Sequence, residues 1–180
     1  GLLRALQLAH AKHGRLPWPR LFRPAIRLAE RGFAVSARLH AQISNDPALR
    51  LNPAARAYFY SADGHAPPIG VKLKNPEFAA VLRRLAQEGP EAFYAGQIAR
   101  DIVAAVAAAP RPGELSMQDL ADYRAIEREA ICGAYRGYRI CGMPPPSSGG
   151  IAVLEILGVL ERFPMAELRP GSSGAVHLFA

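Results

Sequence analysis

The 180-residue sequence is half hydrophobic and carries 22 basic against 15 acidic side chains, a formal charge of +7. That apolar content excludes a disordered chain, and the length suffices for one domain with a real core. The arginines are scattered from Arg4 to Arg169 with no lysine block, which argues against a nucleic-acid groove, and no apolar run is long enough for a membrane span.

Sixteen prolines and sixteen glycines cut the apolar material into short elements. Leu2 to His13 has helical spacing and is stopped by Gly14. The opening GLLRALQLAHAKHG lacks the clean hydrophobic core and small-residue cleavage site of a signal peptide. Pro24 suits the first turn of a second helix, with Ile26, Leu28 and Ala29 on its apolar side and Gly32 as its stop. Ser36 caps a short helix to Ile43, and Asn45-Asp46-Pro47 is a turn. Asn52-Pro53 opens a helix over Ala54 to Tyr58, and Ser61 to Lys74 reads as an irregular crossing. Asn75-Pro76-Glu77 opens a helix ending near Gly89, then Pro90-Glu91 begins a brief turn through Phe93-Tyr94. A more apolar helix runs from about Gln97 to Ala109, where Pro110 stops it, and Ser116-Met117-Gln118-Asp119 has capping-box spacing.

The period then changes. EAICGAYRGYRICG reads as a β-hairpin turning at Arg136-Gly137, which sets Tyr135 opposite Tyr138, Ala134 opposite Arg139 and Cys132 opposite Cys141. The cysteines fall on a non-hydrogen-bonded pair, where Cα atoms come closest. A disulfide is within reach there, and a free pair remains the alternative. Beyond the hairpin, the proline run of MPPPSSGG holds Met143, Pro144 and Pro145 extended. After Pro146, Ser147 or Ser148 accepts an amide hydrogen bond at the next helix start, while Gly149 and Gly150 permit close backbone approach. A pocket wall lined by backbone amides is the other reading. From Ile151 to Leu160 the helix is almost wholly apolar and is expected to be buried, ending at Phe163-Pro164. Pro170 to Gly174 is a loop before a last helix begins.

Convergent chemistry is sparse. A catalytic serine needs a base and an oxyanion site, and no serine here sits in a G-x-S-x-G elbow. The glycine pair lacks the lysine and spacing of a phosphate loop. His10 and His13 share a helix face without a third ligand nearby, His40, His65 and His177 are dispersed, and the two cysteines have no zinc partners, so no metal or cofactor is expected. Asp119 and Asp122 read as a solvated face. Glu155 interrupts the apolar helix, so a buried Glu155 calls for a cation such as Arg136 or Arg139.

GRLPW, PAIRLAERGFAV, EAFYAGQIARDIV, DLADYRAIERE, YRGYRICGMPPPSSGG and AVHLFA, in that order, resemble the large subunit of gamma-glutamyltranspeptidases. YRGY followed by MPPPSSGG is the most specific element. Ala130 departs from the pattern, since relatives usually carry proline there. The resemblance implies an N-terminal-nucleophile hydrolase whose precursor cuts itself and exposes a threonine at the start of the small subunit. That hydroxyl attacks a gamma-glutamyl amide such as glutathione, with its own amino group as base, and water or an amino acid or peptide resolves the acyl-enzyme.

The resemblance also sets the expected organisation. Residues 1–180 form a partial large-subunit domain cut at both ends: a helical segment over residues 1–124, the hairpin 125–143, a Pro/Ser/Gly brace 144–150, and 151–180 with the apolar helix, a loop and the start of another helix. The fold class is mainly α with one short β-hairpin, inside a parent of layered αββα architecture. The implied partners are the rest of the large subunit and the small subunit, with glutathione or other gamma-glutamyl compounds as substrate, in an exported, periplasmic or extracellular parent. Neither the nucleophilic threonine nor the substrate-carboxylate arginine falls in this stretch. The carried-over motif is therefore architectural: Tyr135, Arg136, Gly137 and Tyr138 as hairpin, and Pro144, Pro145, Pro146, Ser147, Ser148, Gly149 and Gly150 as brace. A non-catalytic structural or interaction module from a degenerate relative is the alternative.

Overall fold

The computed structural model describes residues 1–180. It is mainly helical, as the sequence indicates, and forms two compact units, Gly1–Ala125 and Ile126–Ala180.

In the first unit, α1 (Leu2–His13) closes with the Gly14 amide donating to His10 O at 2.7 Å. The second helix, α2 (Trp18–Arg31), starts well before Pro24, which lies inside it. Pro19 takes the favoured place in the first turn instead. A tertiary anchor accounts for the early start: Trp18 Nε1 donates to Leu85 O at 2.9 Å, and its ring packs 5.1 Å from that of Phe22. Distant contacts of this kind leave no local signal.

A small sheet also corrects the expected irregular crossing. β1 (Phe33–Ala34) pairs antiparallel with β2 (Lys72–Leu73), and Val35 N donates to Val71 O at 2.9 Å. Two residues per strand are too few for alternation to show in a sequence.

Local capping chemistry starts the other helices. Ser36 accepts from Leu39 N ahead of α3 (Ala37–Asn45), Asn52 from Ala55 N ahead of α4 (Pro53–Phe59), and Asn75 from Phe78 N ahead of α5 (Pro76–Glu88). The brief turn expected after Pro90 is a single helical turn, α6 (Glu91–Tyr94), followed by α7 (Gly96–Ala107). α8 (Met117–Asp122) carries the full capping box: Asp119 N donates to Ser116 Oγ, and Ser116 N donates to Asp119 Oδ2 at 2.8 Å. Hydrogen bonds from the Ser116 hydroxyl and backbone hold the Asp119 carboxyl below the usual carboxylate range.

The core lies where α2 faces α5. Ala29, Ala79 and Leu82 are buried there, with Phe22 and Ile26 packed against them. Alanine supplies five of the eleven buried hydrophobic residues of the unit, so the backbones themselves approach closely. Arg4 ties α1 to α6: both guanidinium nitrogens at its tip donate to the Glu91 carboxylate, the Nη2–Oε2 bond being 2.9 Å. Its guanidinium also sits 4.5 Å over the Tyr94 ring, which stacks on Tyr123 at 6.0 Å. The hydrogen bond raises the pKa of Arg4 and lowers that of Glu91.

Candidate functional site

The second unit contains the motif residues. β3 (Ile131–Tyr135) and β4 (Tyr138–Gly142) form the hairpin with the register counted from the sequence, Tyr135 opposite Tyr138 and Cys132 opposite Cys141. Both turn residues have left-handed backbones, Arg136 at φ 49° and Gly137 at φ 83°, the pattern of the tight turn that matches strand twist. Gly137 adopts this freely, but arginine does not. Two hydrogen bonds compensate: Arg136 N donates to Glu161 Oε1 at 3.1 Å, and Arg136 Nη2 donates to Phe163 O at 2.6 Å. The tip of the hairpin is thereby fastened to the far end of α9 (Gly149–Leu160).

Cys132 and Cys141 form a disulfide across the strands, with Cα atoms 4.1 Å apart. On the other side of the hairpin, α9 packs against both strands. A Cβ built on Gly150 would lie 2.4 Å from Met143 O and 2.8 Å from Ile131 Cγ2. One built on Gly133 would lie 3.0 Å from Leu154 Cδ2. The helix start thus rests on the strands with glycine as the spacer.

Between strand and helix runs the proline segment, whose Pro145–Pro146 peptide bond is cis. Ser147 N donates to Pro144 O at 3.2 Å, and Ser147 Oγ accepts from Gly149 N at 3.4 Å. Ser148 occupies the cap position of α9 without a side-chain capping bond, while its carbonyl accepts from Ala152 N at 2.9 Å. A shallow depression of about 290 Å³ beside Ser147 is lined by Ile140, Met143, Gly149, Gly150 and Val153 among others. It offers neither serine a base.

Two expectations about α9 are corrected. The helix is not buried: only Gly150 is, and Val153, Ile156 and Val159 are 47, 57 and 60 % exposed. Glu155 is exposed as well, and Arg136 reaches Glu161 and Phe163 O rather than Glu155. Apolar composition alone does not say which side of a helix is packed, and here only the side toward the hairpin is. The histidines do not assemble. His10 Nε2 donates to Leu16 O at 2.8 Å beside the Trp18 ring, and His40 Nδ1 donates to Pro67 O at 2.9 Å. Sequence reasoning missed Glu161 and Phe163 as partners of Arg136, because an exposed acid and a backbone carbonyl after a helix carry no distinguishing signal.

Relatives give this disulfide-closed hairpin and its helix a context. A family model described as gamma-glutamyltranspeptidase matches residues 1–180. The sequence is 40% identical over 181 residues to an acylase ACY 1 proenzyme of Pseudomonas sp. (strain V22), covering 100% of this chain and 32% of that protein. It is 36% identical over 182 residues to the glutathione hydrolase proenzyme of Escherichia coli (strain K12), covering 100% of this chain and 31% of that protein. The fold superposes on the crystal structure of Helicobacter pylori gamma-glutamyltranspeptidase with a TM-score of 0.90 at 30% identity, over 99% of this chain and 51% of that one. The chain thus spans about a third of the curated relatives and about half of the solved chain. No helix is long and apolar enough to cross a membrane. With the family model covering every residue and the backbone following a solved member, the chain belongs to the gamma-glutamyltranspeptidase family.

Proposed function

We propose that residues 1–180 are scaffold from the large subunit of an enzyme that cleaves gamma-glutamyl amides and passes the acyl group to water, an amino acid or a peptide. The observation that carries this reading is the family match along the whole chain. The nucleophilic threonine, released by self-cleavage of a precursor, and the arginine that holds the substrate carboxylate are assigned to sequence outside these residues. Such a threonine needs a base, an oxyanion site and clamps for the glutamyl group, all held in register. The motif residues Tyr135 to Tyr138 and Pro144 to Gly150 serve that register: hairpin and brace position neighbouring strands, with the rest of the large subunit and the small subunit as partners. The parent is exported, which suits the Cys132–Cys141 disulfide.

The test uses the full-length protein. Its precursor is expected to split into two chains by mass spectrometry and to release aniline from a gamma-glutamyl anilide, and Pro145→Gly should lower both turnover and melting temperature. An unsplit, inert precursor would instead mark a non-catalytic module. Normal turnover and melting in Pro145→Gly would remove the bracing role.

A second reading is favoured by the acylase relative, which matches at higher identity than the glutathione hydrolase. An acylase with broader demands would accept the glutaryl anilide, which lacks the α-amino group. A strict requirement for that group excludes this reading.

A further inference from the structure

We infer that the outer face of α2 is a docking surface for a membrane rich in anionic lipid headgroups. Arginines that look scattered along the sequence gather on this helix. Arg20, Arg23, Arg27 and Arg31 follow at intervals of three, four and four residues. That spacing puts them on one side of the helix, over roughly 16 Å at about 1.5 Å per residue. All four are exposed. Trp18, Phe22, Ile26 and Ala29 take the opposite side, against α5. The only acid of the helix, Glu30, is turned toward α5 and pairs with Arg83. None of the four guanidiniums has a carboxylate partner.

Four cations in a row without counter-charges repel one another until an anionic partner neutralises them, so charge complementarity calls for an extended anion. The neighbouring side chains choose among such partners. Leu21 and Leu28, seven residues apart, border the arginines and are 46 and 57 % exposed. Leucines beside guanidiniums match the boundary between headgroups and acyl chains, where a surface-bound helix meets the bilayer. A nucleic acid would be gripped by aromatic rings stacking on its bases, and the two rings of this helix, Trp18 and Phe22, are turned inward. The contact is peripheral, since no helix is long and apolar enough to cross a membrane. This inference rests on the surface of α2 and not on the activity proposed above.

Flotation of the full-length protein with lipid vesicles tests it. At low ionic strength the protein should bind vesicles of equal parts phosphatidylglycerol and phosphatidylcholine and leave pure phosphatidylcholine alone. Salt at about 0.5 M, which cuts electrostatic reach to about 4 Å, should release it. Each arginine near such a surface is worth about fivefold in binding, so Arg23→Gln/Arg27→Gln should weaken it roughly thirtyfold. Glutamine keeps the helix propensity of arginine, and this variant should melt with wild type. Arg23→Lys/Arg27→Lys should bind as wild type does, because charge carries the contact. Arg100→Gln/Arg111→Gln removes two exposed arginines elsewhere and should leave binding nearly unchanged. Equal weakening by both glutamine pairs overturns the inference. So does a full-length protein that ignores the anionic vesicles, as it would with an acidic segment of its own precursor seated on the stripe. Tighter binding to single-stranded DNA than to the vesicles overturns it as well. No substrate is needed, so an inactive protein that floats with the vesicles separates this inference from the enzymatic reading.

Discussion

Gly142 and Gly150 meet so closely that a Cβ added to Gly142 would stand 2.7 Å from the Cα of Gly150. The contact joins the last residue of the hairpin to the first turn of α9, and backbone atoms cannot move aside as a side-chain end can. Gly150→Ala in the full-length protein is therefore expected to cost about 1–3 kcal/mol, the usual range for overpacking, and chemical denaturation would measure it. A neutral Gly150→Ala would show that the helix start has room to shift.

The cap of α5 offers a cleaner measurement. Asn75 Oδ1 accepts from Phe78 N at 2.8 Å while Asn75 N donates to Ala29 O at 2.7 Å, so one residue starts the helix and ties it to α2. Asn75→Ala should cost about 1 kcal/mol and Asn75→Asp much less, because aspartate caps equally well. Equal losses for the two variants would mean that the side-chain amide, not its oxygen, matters.

Acid should loosen the Arg4–Glu91 link. The Arg4 hydrogen bond lowers the Glu91 pKa, so its contribution is fully present above the ordinary glutamate pKa and disappears as pH falls through the depressed folded value. The raised Arg4 pKa alters stability only at strongly alkaline pH. Because the Glu91 side chain is 64% exposed, the pair is worth about 0.2–1 kcal/mol after solvent screening. Glu91→Gln should accordingly melt below wild type at neutral pH and converge with it in acid. A gap that is independent of pH would contradict the assignment.

The hairpin disulfide is open to direct weighing. Native protein is expected to gain the mass of two hydrogens on reduction at Cys132 and Cys141. In the chain-entropy account, a link closing so short a loop stabilises by about 2.6 kcal/mol, and the double variant Cys132→Ser/Cys141→Ser would report that loss. Two titratable thiols in unreduced protein would rule out the bond.

Much of this fold was legible because the relevant chemistry is local. Ser36, Asn52, Asn75 and Ser116 each accept an amide three residues ahead, and Arg136-Gly137 alone sets the hairpin register. What escaped depends on distant partners: Trp18 starts α2 early through Leu85 O, and the Arg136 guanidinium bonds to Phe163 O rather than to Glu155. Ser147 and Ser148 show an intermediate case. A serine near the helix start was expected, yet it is the Ser147 hydroxyl that receives the Gly149 amide while Ser148 contributes only its carbonyl. The candidate site was legible as a motif, in the hairpin register and the serine at the helix start, but not as a mechanism.

The alanines between α2 and α5 make the helical unit asymmetric toward change. At Ala29 or Ala79 almost nothing can be taken away, since glycine removes one methyl, but any enlargement must pry two helices apart. Variation in this unit is thus filtered by bulk more than by polarity, and its tolerant positions should lie on the outward sides of those helices.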